Sequence, residues 1–152
     1  VFIHEYIYNN EIIYQNHASE QLDKLITSGE IDILYERSLS LNEKTEYDSI
    51  CNLIAPLLEA DLSKHRDRNV GEVKSLAMAY VKKYGYFISD DKKAAIVSND
   101  NLVYLDGTKI KAFKLKDIIV KLKTSGKYSR SELKKIFTYY ANPNLQVDPE
   151  KN

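Results

Sequence analysis

Three carboxylates bracket one short helix–strand stretch, "VGEVKSLAMAYVKKYGYFISDDKKAA", running from Val70 to Ala95. Glu72 opens its helical part, and Asp90 and Asp91 follow the apolar run "YFIS". An acid in the first turn of a helix gains roughly 0.3 to 1 kcal/mol from the helix dipole, and aspartate is a favoured N-cap. That explains Glu72 and one of the aspartates. The second aspartate sits beside a like charge, which is unfavourable unless something neutralises it. A divalent cation would do so: magnesium takes oxygen ligands, usually one or two carboxylates together with waters and a substrate phosphate. Helix capping and metal ligation both stand at this level.

Other chemistries find less support. His4, His17 and His65 show no ligand spacing and there are no partnered cysteines, which argues against a zinc site. Nothing resembles a serine or cysteine triad. The single cysteine, Cys51, rules out an internal disulfide framework, fits a reducing, cytoplasmic setting, and falls in an apolar helical pattern as a buried structural thiol. The 12 tyrosines could stack nucleic-acid bases, but most fall on apolar faces or at strand ends.

The chain has 152 residues, 43% apolar and 29% charged, the balance of a globular protein of one domain. No apolar run approaches the roughly 18 to 20 residues of a membrane helix, so no membrane partner is expected. Net charge is zero but unevenly spread. Residues 1 to 63 carry 3 Lys+Arg against 12 Asp+Glu, and residues 109 to 135 carry 10 against 2. Such asymmetry marks either a surface for nucleic acid or another acidic partner, or merely solvated helix faces.

The elements that must position the acids follow from pattern. "VFIHEY" is rich in β-branched and aromatic residues and reads as a strand, with a short helix containing Glu11 after it. A helix is expected from Ser19, as N-cap, to Gly29, then a strand at Ile31 to Tyr35. A longer helix is expected from Glu43 to about Leu62, kinked or broken just before Pro56. Val73, Leu76, Ala77, Tyr80 and Val81 line one face of a helix from about Gly71 to Tyr84. "YFIS" is a short buried strand, "DKKAAIV" a short helix and "LVYL" a further strand candidate; "KIKAFKLK" reads as a solvated strand or turn edge. Two amphipathic helices close the pattern, one over Leu115 to Leu122 and one starting at Ser129 or Ser131. Strands alternating with helices predict a three-layer α/β/α domain with a mainly parallel sheet, over residues 1–142, and a polar tail at 143–152. In such a sheet functional groups gather outside the carboxyl ends of the strands, where Asp90 and Asp91 fall.

In order and motif the chain resembles a PIN domain, the fold of many small metal-dependent ribonucleases and toxin nucleases. The likeness rests on "VFIHEYIYNNEI", then "GEVKSLAMA", then "YFISDDKKAA", with a later "LVYLDGT" and a lysine-rich helix, and covers roughly residues 1 to 137. It implies three or four acids at the carboxyl edge of a parallel sheet, holding one or two Mg or Mn ions. Glu72 matches the family's acid at the start of the central helix. Asp91 matches the acid after the following strand, with Asp90 as its companion. Glu11 is the choice for the acid after the early strand, with Glu5 as competitor. The family's leading aspartate, at the end of its first strand, has no counterpart in these residues. The chain opens at Val1 in strand-like sequence, and the resemblance places that aspartate or the whole first strand upstream.

The function so implied is hydrolysis of RNA phosphodiester bonds, of toxin type, with an antitoxin-like protein or a second copy of the chain as protein partners. The alternative is a PIN-fold module with incomplete ligands that binds nucleic acid or protein. A receiver-like phosphoacceptor domain would also place paired acids after a strand, but earlier in the chain than Asp90 and Asp91.

Overall fold

The computed structural model describes residues 1–11, 17–64 and 66–141. The chain divides into two compact units, Val1–Ala112 and Phe113–Asn152, taken separately below. The expected C-terminal tail and His65 lie outside the described residues, and the side chain of His17 is not among those described.

The first unit opens with β1 (Phe2–His4), a π-helical turn (Ile7–Glu11), α1 (His17–Thr27) and β2 (Asp32–Leu34). β1 and β2 pair in parallel, Ile3 opposite Ile33. Ser19, expected at the cap of α1, lies inside that helix. A 3-10 turn (Glu36–Ser38) leads to α2 (Leu41–Ile54). α2 starts with a capping box: Glu43 N–H donates to Ser40 Oγ at 3.3 Å, and Ser40 N–H donates to Glu43 Oε2 at 2.7 Å. It stops at Ile54, the break expected just before Pro56, and does not resume as helix toward Leu62. Pro56 offers no amide to extend the ladder, and Leu58 and Ala60 close a tight turn on Ile54 and Ala55.

α3 (Val70–Val81) follows, its face of Val73, Leu76 and Ala77 fully buried as its spacing predicts. Tyr47, Ile54 and Leu58 pack with it in one core. Asn69, in a left-handed conformation at φ 65°, turns the chain into α3 and donates from its side chain to Leu58 O at 2.7 Å. β3 (Tyr86–Ile88), α4 (Lys92–Asn101) and β4 (Lys111–Phe113) complete the order. β4 pairs with β3, with Lys111 N–H donating to Gly85 O at 2.9 Å. The "LVYL" segment contributes a single antiparallel bridge, Val103 to Lys109, closed by the turn at Gly107 (φ 81°). The strand falls instead on "KAF", in the segment read as a solvated edge.

The second unit carries α5 (Leu115–Thr124) and α6 (Arg130–Ala141). Lys114 N–H donates to Asp117 Oδ2 at the start of α5, and Ser129 and Glu132 exchange bonds of 2.8 and 3.2 Å at the start of α6. Ile119 and Leu133 are the buried side chains described in this pair, and Lys116, Lys121, Lys123, Lys127 and Arg130 are exposed. The chain is thus mixed α/β, its described strands forming two two-stranded sheets. No described helix is long and apolar enough to cross a membrane.

Candidate active site

α3 points its N-terminus at the residues that follow β1, and Gly71 in its first turn lets them come close. A Cβ on Gly71 would overlap Glu11 Oε1 and Ile7 Cδ1, so only glycine leaves room for this approach. The Glu11 carboxyl accepts a hydrogen bond from the Gly71 N–H and lies beside Glu72. Burial raises the Glu11 pKa above its ordinary 4.5, the Glu72 charge raises it further, and the Gly71 bond only partly offsets them. Glu11 keeps an open flank to solvent. The pair is therefore accessible, electrostatically unfavourable, and placed at a helix N-terminus.

Glu72 also lines a groove of about 650 Å³ along α3, between β1 and β3, with His4, Ser75, Met78 and Ser89 among its other walls. Ser89 is the first residue after β3, and Asp90 and Asp91 follow it. Asp91 is the N-cap of α4: its Oδ1 accepts from Lys93 N–H at 2.6 Å and from Ala94 N–H at 3.4 Å. Its own N–H donates to Ser89 Oγ at 3.1 Å. Asp90 sits between this cap and the strand.

Of the acids singled out in the sequence, Glu11 and Glu72 are thus brought together, and Asp91 serves as a helix cap. Among the described residues, no group of three or more His, Cys, Asp or Glu side chains is placed to hold a metal ion. Glu5, the competitor of Glu11, accepts from Glu36 N–H at 2.7 Å and so fastens the turn after β2.

A second polar centre went unread in the sequence because its members lie far apart in the chain. His4 is 3% exposed. Its Nδ1 accepts from Tyr6 N–H at 3.0 Å, which leaves the proton of the neutral ring on Nε2. Nε2–H then donates to the Tyr47 hydroxyl at 3.1 Å, and that hydroxyl donates to Glu36 Oε1 at 2.9 Å. Glu36 also accepts from Lys74 Nζ and, at 3.2 Å, from Lys44 Nζ. Burial holds the His4 pKa down at about 4, despite the nearby Glu36 charge. Burial pushes Glu36 upward, but the bond and charge of Lys74, with Tyr47 and Lys44, overcome it and hold Glu36 at about 2. Burial likewise pushes the Tyr47 hydroxyl up, and the Cys51 thiol to about 11, so Cys51 stays a protonated core residue. The available signal was Tyr47 itself: a tyrosine on an apolar helical stripe must find a partner for its hydroxyl.

No family model matches the chain, nor does any curated protein or any solved structure.

Proposed function

We propose that the chain is a PIN-like, metal-dependent nuclease that hydrolyses RNA phosphodiester bonds, built on a three-layer α/β/α arrangement. One observation carries the reading: Glu11 and Glu72, far apart in sequence, converge at the N-terminus of α3, where their charges oppose each other. A protein gains nothing in stability from such a pair, whereas a hard cation would bind it.

The donor set fits Mg or Mn: carboxylate oxygens with an open flank that leaves room for waters and a phosphate. Glu72 and Glu11 would hold the ion, with Asp90 and Asp91 at the end of β3 as further oxygen donors. When bound, the ion supplies charge to the scissile phosphate and a lowered pKa to water. The residues do the rest. Glu11, whose carboxyl pKa is raised by burial and by the Glu72 charge, would be held in its charged form by the ion, which offsets the repulsion between the two acids. The exposed Lys116, Lys121, Lys123 and Lys127 of the second unit would attract the RNA backbone, with affinity that falls as salt rises. A toxin-type role, with an antitoxin-like protein or a second copy of the chain as partner, belongs to the same reading.

The second reading is a PIN-fold module that binds nucleic acid or protein without cutting it. Asp91 favours it, because its Oδ1 is already committed to two amides of α4.

Calorimetric titration with Mn, alongside cleavage of a labelled RNA with and without EDTA, separates the two. The nuclease reading expects cation binding that Glu72→Gln abolishes, and cleavage that EDTA stops. Cleavage that persists in EDTA, or in Glu72→Gln, would sink it. Salt-dependent RNA binding with no cation binding and no cleavage would establish the binding module.

A further inference from the structure

The acidic pair at α3 needs an anchor. Glu11 and Glu72 repel each other, so the turn that carries Glu11 would swing away from α3 unless something held it. That π-helical turn, Ile7–Glu11, has no buried residue of its own, and apolar burial does little to fix its place. Its hydrogen bonds carry the task. At its far end the Glu11 carboxyl accepts from Gly71 N–H, and Ile7 closes over the same glycine. At its near end the chain leaves β1 through Tyr6. Tyr6 N–H donates to His4 Nδ1 at 3.0 Å, and Asn10 Nδ2 donates back to Tyr6 O at 3.0 Å.

The two nitrogens of His4 have different duties. Nε2 belongs to the buried centre, bonded to the Tyr47 hydroxyl and through it to Glu36. Nδ1 serves the amide that opens the acidic turn. Glu36 in turn accepts from Lys74, which stands on α3 one turn beyond Gly71 and sets its ammonium 5.6 Å from the centre of the Tyr6 ring. The bonds close a ring. They run from α3 through Lys74, Glu36, Tyr47 and His4 to Tyr6, along the turn to Glu11, and back to α3 at Gly71. Because the Tyr6 peptide sets the direction in which the chain leaves β1, a change of angle there is magnified at Glu11, at the end of the turn.

We propose that His4 is a positioning residue for the acidic pair: its Nδ1, together with the Asn10 amide, fixes the Tyr6 peptide so that the turn holds Glu11 against Gly71 and beside Glu72. The buried centre thereby sets the geometry of the exposed acids without touching them. The use of that geometry for a cation rests on the nuclease reading; the placement of Glu11 does not.

Two substitutions separate the two nitrogens. In His4→Asn the side-chain oxygen can accept the N–H two residues on, as in an Asx-turn, while the bond to Tyr47 is lost. In His4→Gln the longer amide reaches toward Tyr47, and the acceptor for Tyr6 is lost. Hydrogen exchange followed by NMR on the full chain reads the result at the Tyr6 and Gly71 amides. Gly71 lies in the first turn of α3, where an amide has no acceptor within the helix, so its protection reports the bond to Glu11. His4→Gln should lower protection at both amides roughly fivefold, the equivalent of one hydrogen bond. His4→Asn should keep both near the wild-type values, although it leaves the larger defect in the core. A histidine that only fills the core predicts the reverse order, and that order, or equal protection in all three proteins, would overturn the proposal. Asn10→Ala leaves the core intact and keeps the test open should a His4 variant fail to fold. It should also lower protection at Gly71, and no change there would overturn the anchoring at Tyr6. Calorimetric titration with Mn then divides the two readings. His4→Gln should weaken Mn binding roughly tenfold or more, as when a group that orients a ligand is removed, and His4→Asn should retain it. No Mn binding by the wild type, with the exchange pattern as expected, would sink the nuclease reading and uphold the placement of Glu11 by His4.

Discussion

Glu36 and Glu11 are the same residue type, each partly enclosed beside α3, and the fold treats them in opposite ways. Glu36 receives Lys74, Lys44 and the Tyr47 hydroxyl, which hold it charged at about 2 despite burial. Glu11 receives another acid, Glu72, and burial raises its pKa with only the Gly71 amide to resist. The first arrangement ties β1, the turn after β2, α2 and α3 together through satisfied bonds. The second stores repulsion at an accessible helix end. The contrast separates a carboxylate kept for stability from one kept for something the protein meets.

The largest effect should come from breaking the satisfied centre. Glu36→Ala leaves the Lys74 ammonium and the Tyr47 hydroxyl without their acceptor and should cost about 3 kcal/mol in urea unfolding. Glu11→Gln removes a charge that repels Glu72 and should leave stability unchanged or slightly raised. Equal losses from the two substitutions would erase the distinction.

Acid should test the same centre next. His4 has a folded pKa of about 4 against an unfolded 6.5, so in that interval the unfolded chain binds the extra proton. Stability is therefore complete above about pH 6.5 and falls as pH drops toward 4, by up to about 3 kcal/mol. His4→Gln should flatten that part of the profile. The depressed Glu36 pKa adds a separate loss between about 4.5 and 2, where the folded carboxylate must be protonated. An unchanged slope in His4→Gln would mean that the imidazole is not held neutral.

Smaller effects sharpen the acid end. Asp91→Ala should cost about 1 kcal/mol through loss of the α4 cap, while Asp91→Asn keeps an acceptor and should lose only a few tenths. A variant that folds as well as the wild type but binds Mn more weakly would assign Asp91 a second duty. Gly71→Ala should change stability by less than about 1 kcal/mol, because the side-chain ends of Glu11 and Ile7 can swing away. It should, however, part Glu11 from Glu72 and return the Glu11 titration toward its ordinary range.

Local pattern made much of this legible. The buried face of α3, the place of the strand at Tyr86–Ile88, the cap at Asp91 and the helices α5 and α6 all follow from spacing and capping residues that act within a few positions. That strand, however, expected to be buried, buries only Phe87 and exposes Tyr86 and Ile88. Pro56 was readable as a break, but whether a helix resumes beyond it depends on the turn that Asn69 closes onto Leu58 O from 11 residues away. The strand at Lys111–Phe113 was less legible than "LVYL", because pairing with β3 decided the matter and apolar content did not. At the candidate site Glu72 stood out by its place in the helix start. Its meeting with Glu11 needed Gly71, whose missing side chain acquires meaning only when the turn after β1 is laid against it. The His4–Tyr47–Glu36–Lys74 chain joins four elements and has no local signature.

The most direct measurement follows the Glu11 carboxyl carbon by NMR through a pH titration, with and without Mg, in the wild type and in Glu72→Gln. If Glu11 and Glu72 form a cation site, Glu11 titrates above the ordinary glutamate range without Mg and shifts down when Mg is added, and in Glu72→Gln the Mg-induced shift is lost. A Glu11 titration that Mg leaves unmoved in the wild type would contradict the site.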